Sequence, residues 1–121
     1  MLIENTKRNG FEIAVVTGSE KVITDVQSAL DLIMAVKYES GTDRIAIDKN
    51  AVVEEFFRLS NGIAGEILQK FINYGVRLAV FGGFTTYMSK PLRDFIRESN
   101  RGHDIFFTDT KQEVVRRLSQ R

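Results

Sequence analysis

The residues best placed to do chemistry are Ser60, Asn61 and Gly62, which stand between an apolar stretch at 44–48 and an amphipathic one at 62–74. A hydroxyl at a helix N-terminus can accept a phosphoryl group, because free backbone N–H groups and the helix dipole stabilise the added negative charge. Ser and Asn are also among the best N-capping residues, so plain capping accounts for the same corner. Both readings put these residues at a helix entry. A second candidate set is the loops at strand carboxyl ends, at 48–49, 82–87 and 108–109, where open α/β sheets place ligands. There Gly82, Gly83, Thr85 and Thr86 would admit a phosphate, and ordinary turn chemistry explains the glycines equally. No Gly-x-Gly-x-x-Gly or Gly-x-x-x-x-Gly-Lys-Ser/Thr pattern occurs, so no known nucleotide loop is supported.

The other reactive side chains are poorly grouped. Asp48 and Asp109 end separate strands, and acids so placed read as helix caps rather than as ligands of a hard cation, so no metal is expected. His103 is the only histidine and stands between Gly102 and Asp104 at a strand start, with no Gly-x-Ser-x-Gly elbow to serve. Glu54 and Glu55 are adjacent and point in different directions on either helix or strand, which argues against an acid/base pair. Arg93, Arg97 and Arg101 recur at four-residue intervals with Lys90 one turn away, a basic stripe suited to an acidic partner or a phosphate. Asp94 and Glu98 flank them, so intrahelical pairing and a solvated face are the plainer expectation. No catalytic residue and no cofactor is assigned.

Periodicity and turn chemistry specify the elements that hold these residues. Asn9-Gly10 signals a hairpin between strands at 2–7 and 11–17, and Val22 and Ile23 would extend that sheet. Thr24 and Gln27 match a capping box, followed by a helix buried along Val26, Ala29, Leu30, Ile33 and Met34 and stopped by Gly41. The short apolar run 44–48 reads as a central strand covered on both faces. Residues 49–59 carry Val52, Val53, Phe56, Phe57 and Leu59, enough apolar surface that the connection must fold back on the core, although no backbone is assigned to it. A helix from Gly62 to Tyr74 is striped by Ile63, Ile67, Phe71 and Tyr74, widened by Leu68 and Ile72, with Gly65 tolerable if another element presses close. A strand at 77–81, a helix opened by Pro91 with Leu92, Phe95 and Ile96 buried, a strand at 104–107 and a helix capped by Thr110 and Glu113 complete the order. The result is an α/β fold, a mixed and mostly parallel sheet of four to six strands with about four helices.

Composition narrows the class. At 121 residues the chain suits one domain, 1–121, with a single core. Its formal net charge of +1 lacks the basic excess that drives nucleic-acid binding, and the absence of cysteine excludes disulfides and thiolate chemistry. Residues 1–8 lack the apolar core of a secretory signal and no run is long enough to span a membrane, so a cytoplasmic location is expected.

The element order, with Ser60-Asn61-Gly62-Ile63 between the strands at 44–48 and 77–81, resembles the STAS domains, the family of bacterial anti-sigma factor antagonists. Those antagonists carry an Asp-Ser-Ser-Gly-Leu-Gly type segment at the equivalent helix, whose serine a partner kinase phosphorylates to control protein binding. The resemblance implies that Ser60 takes the place of the phosphorylated serine, Asn61 the second serine, Gly62 the glycine and Ile63 the leucine, with Leu59 where that family has its acid. In wording, the run from Gly62 to Phe71, Leu92-Arg93-Asp94-Phe95-Ile96 and Glu98-Ser99-Asn100-Arg101-Gly102 are similar to a bacterial family of small proteins of unknown function, which implies no established activity.

The functional expectation is a non-catalytic protein-interaction or regulatory module with a protein partner, working through Ser60 to Gly62 and the 82–87 loop. The alternative is a small-molecule or nucleotide-binding protein, conceivably an enzyme, that uses the strand-end loops. Homodimerisation through the opening strands is a third possibility, and neither nucleic acid nor membrane is an expected partner.

Overall fold

The opening hairpin is set by Asn9 and Gly10, whose φ values of 53° and 83° are the positive pair that a two-residue primed turn needs. In the computed structural model, which describes residues 1–84 and 88–121, this turn joins β1 (Leu2–Arg8) to antiparallel β2 (Phe11–Thr17). Strands β3 (Arg44–Asp48), β4 (Arg77–Phe81) and β5 (Ile105–Thr108) follow, each parallel to the strand before it, in the order β1-β2-β3-β4-β5. Helices α1 (Val26–Ser40), α2 (Ile63–Asn73) and α3 (Lys90–Arg101) are the crossovers, and α4 (Lys111–Leu118) ends the chain. The α/β architecture expected from the sequence is therefore present, with five strands and four helices among the described residues.

Successive crossovers of one hand that always step the same way along a sheet fall on one face. The core shows this. Ala14, Val16, Ile45, Ile47, Leu78, Val80 and Phe107 meet α1, α2 and α3 on one side, whereas Ile13, Val15, Ala46, Ala79 and Phe106 meet Val114 and Leu118 of α4 on the other. As expected, β3 is central and covered on both faces. β1 lies at the sheet edge and keeps Glu4, Lys7 and Arg8 exposed, charges of the kind that discourage edge-to-edge pairing.

Several local expectations shift. The α1 cap is Asp25, not Thr24: its carboxylate accepts from Ser28 N (2.8 Å), and Ser28 Oγ accepts from Asp25 N (3.0 Å). Helix α1 buries Ala29, Leu32, Ile33 and Val36, while Met34 is 46 % exposed. Apolar residues crowd more than one side of this helix, so spacing alone does not choose the buried side. In α2 the buried set is Ala64, Ile67, Leu68 and Phe71, whereas Ile72 and Tyr74 face outward. Gly65 has open space where a Cβ would sit, so no neighbour presses on it. Val22 and Ile23 do not extend the sheet; Ile23 makes one parallel bridge to Val52.

At the amino-terminal edge of the parallel strands, the chain's end is latched down. Arg44 lies 3.8 Å from the centre of the Phe11 ring and donates to Leu118 O (2.5 Å) and Gln120 O (2.7 Å); Arg77, its neighbour in register, also donates to Gln120 O (2.7 Å). Burial and the adjacent Arg77 charge lower the Arg44 pKa from its ordinary value.

Candidate functional site

The opposite edge of the sheet carries the site. Parallel register sets Asp48 beside Phe81, so the next residues, Lys49 and Gly82, leave the sheet side by side. A Cβ on Gly82 would lie 2.7 Å from Lys49 Cβ, so the lysine passes only because glycine stands there. Lys49 Nζ then donates to Gly83 O (2.9 Å) and lies 5.0 Å from the Phe84 ring centre and 5.7 Å from that of Phe57. The two strand-end carboxylates serve the backbone: Asp48 accepts from Asn50 N (2.8 Å) and Asp109 accepts from Phe84 N (3.2 Å).

Residues 49–59, to which sequence assigns no backbone, fold with the next two as three short 3-10 turns, Lys49–Ala51, Glu54–Phe57 and Leu59–Asn61. The apolar content of this stretch does fold back on the core: Val52 and Phe56 are buried, and Val53, Phe57 and Leu59 pack partly against it. Between these turns and the start of α3 opens a cleft of about 750 Å³. Phe57, Leu59, Phe84, Met88, Pro91 and Leu92 form apolar walls, and Lys49, Glu54, Arg58, Ser60 and Ser89 supply polar groups. Beneath it runs an aromatic cluster. Phe57 packs on Phe56 (5.0 Å) and Phe84 (6.0 Å), Phe84 meets Phe107 edge-on (5.9 Å, 89°), and Phe95 completes the set against Phe107 (5.7 Å).

Ser60, Asn61 and Gly62 are all exposed. Their capping roles differ from those the sequence suggests. Helix α2 begins at Ile63 with Gly62 as its N-cap (φ 76°), so Ser60 belongs to the preceding turn and takes no part in the cap. Asn61 does the work: its Oδ1 accepts from Ile63 N (2.9 Å) and its Nδ2 donates to Glu55 O (2.8 Å). Ser60 lines the cleft together with Phe84 and Met88, whereas Asn61, Gly62, Gly82 and Gly83 are not among its lining residues. Thr85 and Thr86 lie outside the described residues.

The basic stripe is largely paired. Lys90 meets Asp94 at 2.6 Å, Arg97 meets Asp94 at 3.6 Å and Arg101 meets Glu98 at 3.6 Å; among the described residues Arg93 has no ion pair. The hydrogen bond from Lys90, reinforced by the charges of Lys90, Arg97 and Arg93, holds the Asp94 carboxyl below its ordinary range. His103 is exposed beyond α3, and none of the described residues of the stripe lines the cleft. Sequence reasoning passes over Phe57 and Arg58 as site residues and reaches Lys49 only as part of the strand-end loop at 48–49. For Phe57 the signal is the unexplained apolar density of 49–59; for Lys49 the signal is its place at a strand carboxyl end, while its partners depend on a strand register.

Fold and cleft together define a small α/β domain whose parallel strands end in a pocket of ligand size. A family model described as Domain of unknown function (DUF4180) matches residues 8–118, and the chain belongs to that family. Comparison with curated proteins finds no match. Among solved structures, the chain is similar to the crystal structure of a candidate anti-sigma factor antagonist from Thermotoga maritima, at 14 % identity and a TM-score of 0.48, covering 98 % of this chain and 95 % of that one. The fold described above rests on strand register rather than on that likeness.

Proposed function

We propose that the chain is a non-catalytic binding module of the cytoplasm, a protein-interaction or regulatory domain that works through the cleft between the Ser60 corner and the loop after β4. One observation carries the reading: Ser60 and Phe84, one from each of two segments suspected for separate reasons, line the same cleft. Ser60 is exposed on that wall, one turn ahead of the α2 N-terminus, so a phosphate placed there would change the charge of the docking face without opening the core. Such a charge repels an acidic partner or recruits a basic one.

The test is affinity capture of partners from native lysate on the full chain. Leu59→Asp, which sets a carboxylate on the apolar wall, is expected to abolish capture, and Ser60→Asp to change it relative to Ser60→Ala. Capture indifferent to Leu59→Asp would reject the docking surface, and identical behaviour of the two Ser60 variants would reject the switch.

A second reading, binding of a small molecule or nucleotide, draws support from the cleft's volume of about 750 Å³, which falls in the usual range for ligand pockets. Native mass spectrometry of protein taken from its host separates the two. A retained low-mass ligand favours the second reading, and a co-purifying polypeptide the first.

A further inference from the structure

We infer that the cleft takes a small apolar anion, its aromatic body lying against Phe57 and Phe84 and its acid group held by Lys49. This inference rests on the cleft being the working surface, and it names the chemistry of one occupant. Lys49 is the central observation. Among the described residues no carboxylate lies within ion-pair distance of its ammonium, and Gly83 O takes only one of its three N–H donors. Two donors remain for a ligand.

The ammonium is also held in advance. Gly82 gives passage to the base of the side chain and the bond to Gly83 O fixes its tip, so little rotamer freedom is lost when an anion arrives. The ammonium lies 5.0 Å from the Phe84 ring centre and 5.7 Å from that of Phe57, so an acid group drawn to it brings the rest of its molecule against apolar ring surface. Arg58 adds a second positive group to the lining, against Glu54 as the one acid, which leaves the described lining positive by one charge.

Size and wall chemistry set the rest of the ligand. A cleft of about 750 Å³ is too large for a lone phosphate or acetate, and the wall made by Phe57 and Phe84, packed on one another at 6.0 Å and 56°, suits an apolar aromatic body lying against it. The full-length chain titrated with two fluorescent probes tests this. Anilinonaphthalene sulfonate and phenylnaphthylamine share one ring system, and only the first carries an anion. The sulfonate is expected to bind at a single site. Lys49→Met should weaken it about tenfold or more while leaving phenylnaphthylamine within about twofold, and Lys49→Arg should recover most of the sulfonate binding.

Equal losses for both probes, no loss for either, or saturation at several sulfonates per chain would overturn the inference. A measurement on the unaltered protein guards against a misfolded variant: raising salt from about 20 mM to about 500 mM should weaken the sulfonate alone, and a salt response shared by both probes counts against it. If the probes fail to discriminate while Leu59→Asp still abolishes partner capture, this inference falls and the docking surface stands. If the probes discriminate while capture ignores Leu59→Asp, the inference stands and the partner reading falls.

Discussion

The site depends at residue scale on Gly82, which lets Lys49 cross the end of β4. Its φ of 150° is one that L side chains rarely adopt, and a Cβ would lie 2.7 Å from Lys49 Cβ. Gly82→Ala should therefore lower stability by about 1–3 kcal/mol, read from the urea midpoint, and displace the lysine. Ser60 gives the contrasting case. Exposed and uninvolved in capping, it should tolerate Ala or Asp within about 0.5 kcal/mol, so any change in partner capture by those variants reports binding rather than folding. The corner at 60–62 was legible as a helix entry, because Ser, Asn and Gly are entry residues. Which of three adjacent cap formers does what was not legible, since Gly62 takes the N-cap position by its backbone angles while Asn61 supplies the side-chain acceptor for Ile63 N. The strand-end loops at 48–49 and 82–87 were legible as one candidate edge, but the reach of Lys49 to Gly83 and Phe84 was not, since these become its neighbours only once β3 and β4 are paired.

Among the elements, the order of strands and α-helices was readable outside 49–59, carried by Asn9-Gly10, the stop at Gly41, Pro91 in the first turn of α3 and the cap at Thr110. Faces were harder to read than order, as α1 shows, because a helix apolar on several sides leaves the choice to the sheet. Helix α2 offers a direct test. With open space at Gly65, Gly65→Ala should raise stability by about 1 kcal/mol, since alanine restricts the unfolded chain and meets nothing in the folded one. A drop instead would mean that the helix touches something there. Acid should act on α3 and α4. The Lys90 hydrogen bond to Asp94 and the Arg116 hydrogen bond to Glu113 hold both carboxyls below their ordinary values. Groups depressed in the folded state lend their support above the unfolded pKa and lose it as pH falls through the folded value. Amide protection in these helices, corrected for the intrinsic pH dependence of exchange, should thus fall below about pH 4 and stay level from there to neutrality, by a small margin because both pairs are open to solvent.

For the whole molecule, the layering follows from the connections: three crossovers of one hand load one face, and the last helix closes the other over Ala46 and Ala79. The latch at the opposite edge ties that last helix to the sheet. Arg44→Ala would remove two hydrogen bonds to the terminal carbonyls and the stack on Phe11, and should cost about 1–3 kcal/mol, seen as a lower Tm with the site's probe binding unchanged. Sequence pattern carried the α/β class because alternating periodicities survive without contacts. It could not carry the latch or the cleft, both of which join segments that only the finished sheet brings together.

Lys49 and Gly82 are direct continuations of β3 and β4, and β3 is the middle strand of the sheet. A guest seated across them would brace the most deeply protected part of the domain. Occupancy should therefore register as slower global unfolding, with exchange retarded at Ile45, Ala46, Leu78 and Ala79, rather than as a stiffened rim.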